Sequence, residues 1–61
     1  MRKYRARADD GHDFTEFEYY SNFRKNSKKN LEDMKREYKQ QHGFTRYQQI
    51  KTFTCIGKID D

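Results

Sequence analysis

The chain has 61 residues, 39% of them charged and 31% hydrophobic, with 14 Lys and Arg against 10 Asp and Glu. A core of this size belongs to one small domain held by few side chains, so a large ligand cavity, and with it most enzymes, is disfavoured. No apolar run reaches the roughly 18 residues of a membrane span, Met1 is followed by Arg2-Lys3-Tyr4-Arg5, and Cys55 has no second cysteine to bridge. A cytoplasmic protein is the expectation.

Residues 2–20 read as a β-hairpin, because two stretches of alternating character flank Asp10-Gly11, a strong type I′ turn signal. A two-residue loop sets Arg5 against Glu16, Lys3 against Glu18, Tyr4 against Phe17 and Ala6 against Thr15; a longer turn that includes His12 shifts this table. Opposite charges then share one face, while Tyr4, Ala6, Phe17 and Tyr19 share the other. Arg7 is left without an acidic partner in this register.

Residues 21–30 form a basic connector, SNFRKNSKKN, with four cations and no acid. Since 14 − 4 = 10 cations then balance 10 acids elsewhere, this segment carries the whole net charge of +4. A helix follows over about 28–42, with Leu31, Met34 and Tyr38 at helical spacing, Ser27 or Asn26 as N-cap and Gly43 as the stop. On its outer face Lys28–Glu32, Glu32–Arg36 and Lys29–Asp33 are spaced for ion pairs one turn apart.

The β-favouring run from about 49 to 59 predicts a third strand. Ile50 and Ile56 fall on one side of it and Phe53, Cys55 and Ile59 on the other, so its buried face stays open at this point. Asp60 and Asp61 are expected to fray. The whole reads as an α+β, β-β-α-β domain: a three-stranded sheet with one helix packed on one face. The small Ala6 and Ala8 under that helix favour the order 2-1-3, and a parallel pairing of the third strand with the second is the alternative.

Catalytic chemistry finds no support, since His12, His42, Ser21, Ser27 and Cys55 fall in unrelated places and suggest no nucleophile and base pair. Asp9-Asp10-Gly11-His12-Asp13 is what a tight turn requires and lacks calcium-loop spacing, so no metal and no cofactor are expected. Cys55 reads as a buried structural thiol, and His42 as a cation at a helix C-terminus.

The basic connector is the better candidate. Arg24, Lys25, Lys28 and Lys29, beside Ser and Asn donors and the free amides of a helix N-terminus, suit contacts to phosphates. Arg2, Arg7, Arg46 and Lys51 are possible extensions, and Tyr19, Tyr20 and Phe23 are stacking or interface groups. The open sheet face with Lys3, Arg5, Arg7, Phe14 and Tyr20 is a second candidate, in which Glu16 and Glu18 would neutralise the cations. The edge strands are a third, able to add a strand of a partner or to pair two copies of the chain.

Over YRARADDGHDFTEFEYYSNFRKNSKKNLEDMKREY the pattern loosely resembles the hairpin-then-helix part of the arm-type DNA-binding domains of tyrosine recombinases, about half the chain. It departs in placing the third strand after the helix. In size and composition the chain also resembles small accessory proteins of phages and mobile elements, including inhibitors of host or CRISPR nucleases. The expected function is a non-enzymatic module binding DNA or RNA, or a nucleoprotein complex, through phosphates. The alternative is an inhibitor or adaptor bound to a nucleic-acid enzyme.

Overall fold

In a computed structural model, which describes residues 1–59, the chain runs β1 (Arg2–Asp9), β2 (Phe14–Ser21), α1 (Lys28–His42), α2 (Phe44–Gln49) and β3 (Thr52–Lys58). The sheet has the order β2-β1-β3, and both pairings are antiparallel. Asp60 and Asp61, expected to fray, lie outside the described residues.

The hairpin register differs from the two-residue-loop reading by two positions. Arg5 faces Glu18, Ala6 faces Phe17, Arg7 faces Glu16 and Ala8 faces Thr15. The cause is the loop's own carboxylates. Asp10 Oδ1 accepts the amides of His12 and Asp13 at 2.8 and 2.7 Å, and Asp9 Oδ1 accepts that of Gly11 at 2.7 Å. These bonds hold a four-residue loop, with Gly11 at φ +98°. Because side chains alternate with period two, an even slip leaves every residue on its original face. Arg7 therefore gains Glu16 as a partner, at 3.6 Å, and Lys3 still reaches Glu18, at 2.9 Å, along the diagonal.

Helix α1 begins where Ser27 accepts the Asn30 amide and stops where Gly43, at φ 93°, donates its N–H to the Lys39 carbonyl. Of the three ion pairs expected on its outer face, none forms among the described residues. Asp33 instead bonds Arg36 and Ser21, and Lys29 sits over the Phe23 ring.

The segment after Gly43 corrects the sequence reading. Phe44–Gln49 is a short helix that stacks Tyr47 on Phe53 at 5.7 Å between ring centroids. The strand thus starts at Thr52 rather than 49, so Ile50 belongs to the α2 end and not to the strand's alternation. That settles the buried face: Phe53 and Cys55 turn inward, and Ile56 is exposed at a bulge between the pairs Ala6–Cys55 and Arg5–Gly57.

The core is Tyr4, Ala6, Ala8, Phe17, Tyr19, Met34 and Tyr38, with Leu31, Tyr47, Ile50, Phe53 and Cys55 packed at its margin. The alanines of the central strand leave room for the aromatic side chains of its neighbours. Helix α1 lies mainly over β2 and much less over β3.

Candidate anion-binding end and the polar cluster beneath it

The connector is tied down by polar side chains under it. Asn30, 1% exposed, donates from Nδ2 to the Phe23 carbonyl at 2.8 Å and accepts the Tyr19 hydroxyl at Oδ1. Tyr4 donates to the same carbonyl at 3.1 Å. Ser21, buried beside them, accepts the Phe23 amide at 3.1 Å and donates to Asp33 at 2.7 Å. Ser27 closes the next turn by donating to the Arg24 carbonyl at 2.8 Å, and Asn26 between them takes φ +70°, a left-handed conformation that Asn tolerates. The segment read from sequence as a basic connector thus has its main chain fixed at three points.

Burial pushes the Tyr19 hydroxyl far above the ordinary phenol range, and the contact with Cys55 Sγ at 3.3 Å adds to it. The group stays a neutral donor. Cys55 is half-buried rather than fully enclosed.

Above this base the cations point outward. Lys25 donates from Nζ to the Ile56 carbonyl at 3.2 Å, Lys29 covers Phe23 at 5.3 Å from the ring centroid, and Lys28 lines a groove between α1 and β3. Arg2 faces Ser21, the last residue before the turn. Among the described residues, none of Arg2, Arg24, Lys25, Lys28 and Lys29 is in an ion pair, whereas Lys3, Arg5 and Arg7 all are. Tyr20 and Phe23 stand exposed nearby, at 52% and 41%.

The structure does not bring the other expected residues to this place. Lys51 packs against Gly11 and Arg46 lies near Asp10, at the hairpin tip. At about 3.3 Å per residue, β1 separates that tip from Arg2 by about 23 Å. Arg7 lies on the open sheet face, 4.4 Å from the Phe14 ring centroid and beside Glu16. Tyr19, expected as an interface group, is 0% exposed and is a core residue. The sheet face is the ion ladder that its sequence implied, with Glu18 between Lys3 and Arg5. Sequence reading missed the role of Asn30. A polar residue one position before Leu31, on the buried side of the apolar stripe, was the available signal.

Among the described residues, no cluster of His, Cys, Asp and Glu is arranged to hold a metal ion, and no helix is long and apolar enough to cross a membrane. Comparisons with protein-family models, curated proteins and solved structures find no match.

Proposed function

We propose that the protein is a non-enzymatic binding module that contacts nucleic acid, or a nucleoprotein complex, through phosphates at its connector end. The observation that carries this reading is the set of five cations, Arg2, Arg24, Lys25, Lys28 and Lys29, without an acidic partner among the described residues. On the open sheet face Lys3, Arg5 and Arg7 are instead paired with Glu16 and Glu18, and the other cations outside any ion pair among the described residues, Lys35, Lys39, Arg46, Lys51 and Lys58, are spread along α1, α2, the link after it and β3. Unneutralised charge on a main chain fixed by buried hydrogen bonds displaces counterions with little ordering cost. Exposed Tyr20 and Phe23 beside it offer stacking surfaces to unpaired bases. The cytoplasm, where a lone thiol stays reduced, is the compartment that fits.

The test is fluorescence anisotropy with labelled single-stranded DNA, duplex DNA and RNA from low to physiological salt. Expected is an affinity whose logarithm falls linearly with that of salt and which Lys28→Glu with Lys29→Glu lowers for all sequences alike. Affinity unchanged by the double substitution, or absent at low salt, removes the reading. A protein-directed inhibitor or adaptor would then be the one to pursue, and it predicts binding to one protein with weak salt dependence.

A further inference from the structure

The groove between α1 and β3 goes beyond the phosphate-contacting reading. It has a volume of about 450 Å³, and its lining includes Lys28, Leu31, Met34, Phe53, Thr54 and Cys55. One wall is the open edge of β3. The polarity of that edge follows from the ladder. Gln41 donates to the Glu18 carbonyl at 2.8 Å, so that carbonyl points away from β1, and the Arg5–Glu18 pair is not mutually hydrogen-bonded. Alternation then turns the main-chain groups of Arg5, Arg7 and Asp9 toward β3, in agreement with the Lys51 amide on the Asp9 carbonyl at 2.7 Å and the Ile59 amide on the Lys3 carbonyl at 2.8 Å. Thr54, opposite Arg7, is therefore paired to β1, while the N–H and C=O of Phe53 and Cys55 face outward, beside the groove.

The charge lining the groove is positive. Lys28 is in its lining, which contains no acid, and Lys25 reaches the Ile56 carbonyl at the bulge that interrupts the free edge. On α1, at about 100° per residue, Lys28, Lys35 and Lys39 fall within about 40° of arc beside Leu31, with Glu32 about 20° beyond them and Lys39 turned onto the Tyr47 ring, whereas Asp33 and Glu37 lie on the flank toward β2. A second copy of the chain would bring these lysines against their own counterparts. An acidic strand would not.

We propose that the α1–β3 groove binds an extended acidic peptide of another protein as a fourth strand. The peptide pairs with the main chain of Phe53 and Cys55. Its inward side chains lie over Leu31, Met34 and Phe53, and its carboxylates meet Lys25 and Lys28. The bulge at Ile56 limits the pairing to a few residues.

The test is a ¹⁵N–¹H NMR titration of the full chain with an acetylated, amidated hexapeptide alternating Glu and Val, and with its Lys and Val counterpart. Expected are shifts of the Phe53 and Cys55 amides with the acidic peptide only, slower alkylation of Cys55 by iodoacetamide in its presence, and about tenfold weaker binding by the Lys25→Glu, Lys28→Glu variant. The charge comparison uses the unaltered chain, so it stands even if a variant fails to fold. Equal response to both peptides, or none at millimolar peptide, overturns the proposal. So do concentration-dependent shifts of the same amides without peptide, which would assign the edge to a second copy. Shifts of these amides by an oligonucleotide and not by peptide would instead assign the groove to nucleic acid. Loss of oligonucleotide binding alone leaves this result unaffected, so the two readings fail separately.

Discussion

Asn30 and Tyr38 illustrate opposite treatments of a buried polar group on the same helix. Asn30 uses both ends of its amide, joining the Tyr19 hydroxyl to the Phe23 carbonyl, and so converts a core position into an anchor for the connector. Tyr38 is 0% exposed and its hydroxyl has no hydrogen-bond partner among the described residues, while its ring packs edge-on against Phe17 and Phe53. A buried hydroxyl without a partner costs stability that its ring must offset. Tyr38→Phe is therefore expected to hold stability constant or raise it by about 1 kcal/mol in urea unfolding. A loss of that size would mean that the hydroxyl is bonded. The sequence announces the ring of Tyr38, because it repeats at helical spacing with Leu31 and Met34, but it says nothing about the hydroxyl's partner.

At the scale of elements, legibility follows how local the determining interactions are. Helix α1 was readable to its ends because its determinants are one cap and one stop, each within a few residues. Gly43 takes φ 93° and ψ 161°, a region that side-chain-bearing residues rarely adopt. Gly43→Ala should destabilise the protein by about 1–3 kcal/mol through backbone strain, measured by urea midpoint, even though a Cβ there meets nothing within 4 Å. An unchanged midpoint would show that the chain turns here by another conformation. Strand register was less readable, because a competition for Asp9 and Asp10 oxygens decided the loop length, yet the faces survived the error. Helix α2 was not readable at all. Phe44, Thr45 and Tyr47 favour strands in isolation, and the helix is favoured by ring contacts that exist once it forms, Tyr47 on Phe53 across the fold, Phe44 on Tyr47 one turn apart and Lys39 over Tyr47.

For the molecule as a whole, charge is segregated rather than merely in excess. Lys3, Arg5 and Arg7 on the open sheet face are matched by Glu16 and Glu18, whereas the connector's cations have no acidic partner among the described residues, which the sequence showed as composition and the fold turned into an end of the molecule. The spread of the eight expected cations over two ends and a face was not legible, since it depends on where α2 directs the chain. Two carboxylates set the response to acid. Backbone amides of Asp13 and His12 hold the Asp10 carboxyl below its ordinary value of 3.8, and the Lys3 ammonium holds that of Glu18 below 4.5. With folded-state values depressed, their contribution to stability is present above the ordinary values and is lost as pH falls through the folded ones. The thermal midpoint should stay level from neutrality to about pH 5 and decline below pH 4.5. Added salt should weaken the Glu18 part and spare the Asp10 part, which rests on hydrogen bonds. A midpoint that rises on acidification would contradict both assignments.

The strand order carries a consequence for synthesis. Central β1 leaves the ribosome first, and β3, its second neighbour, follows only after both helices. Nascent chain can close the hairpin early, but one side of β1 keeps unpaired main-chain groups until residues 52–58 emerge. Completion of the sheet is thus a late event that depends on the most distant contacts in the chain, and the half-built intermediate exposes the aromatic face that α1, α2 and β3 will cover.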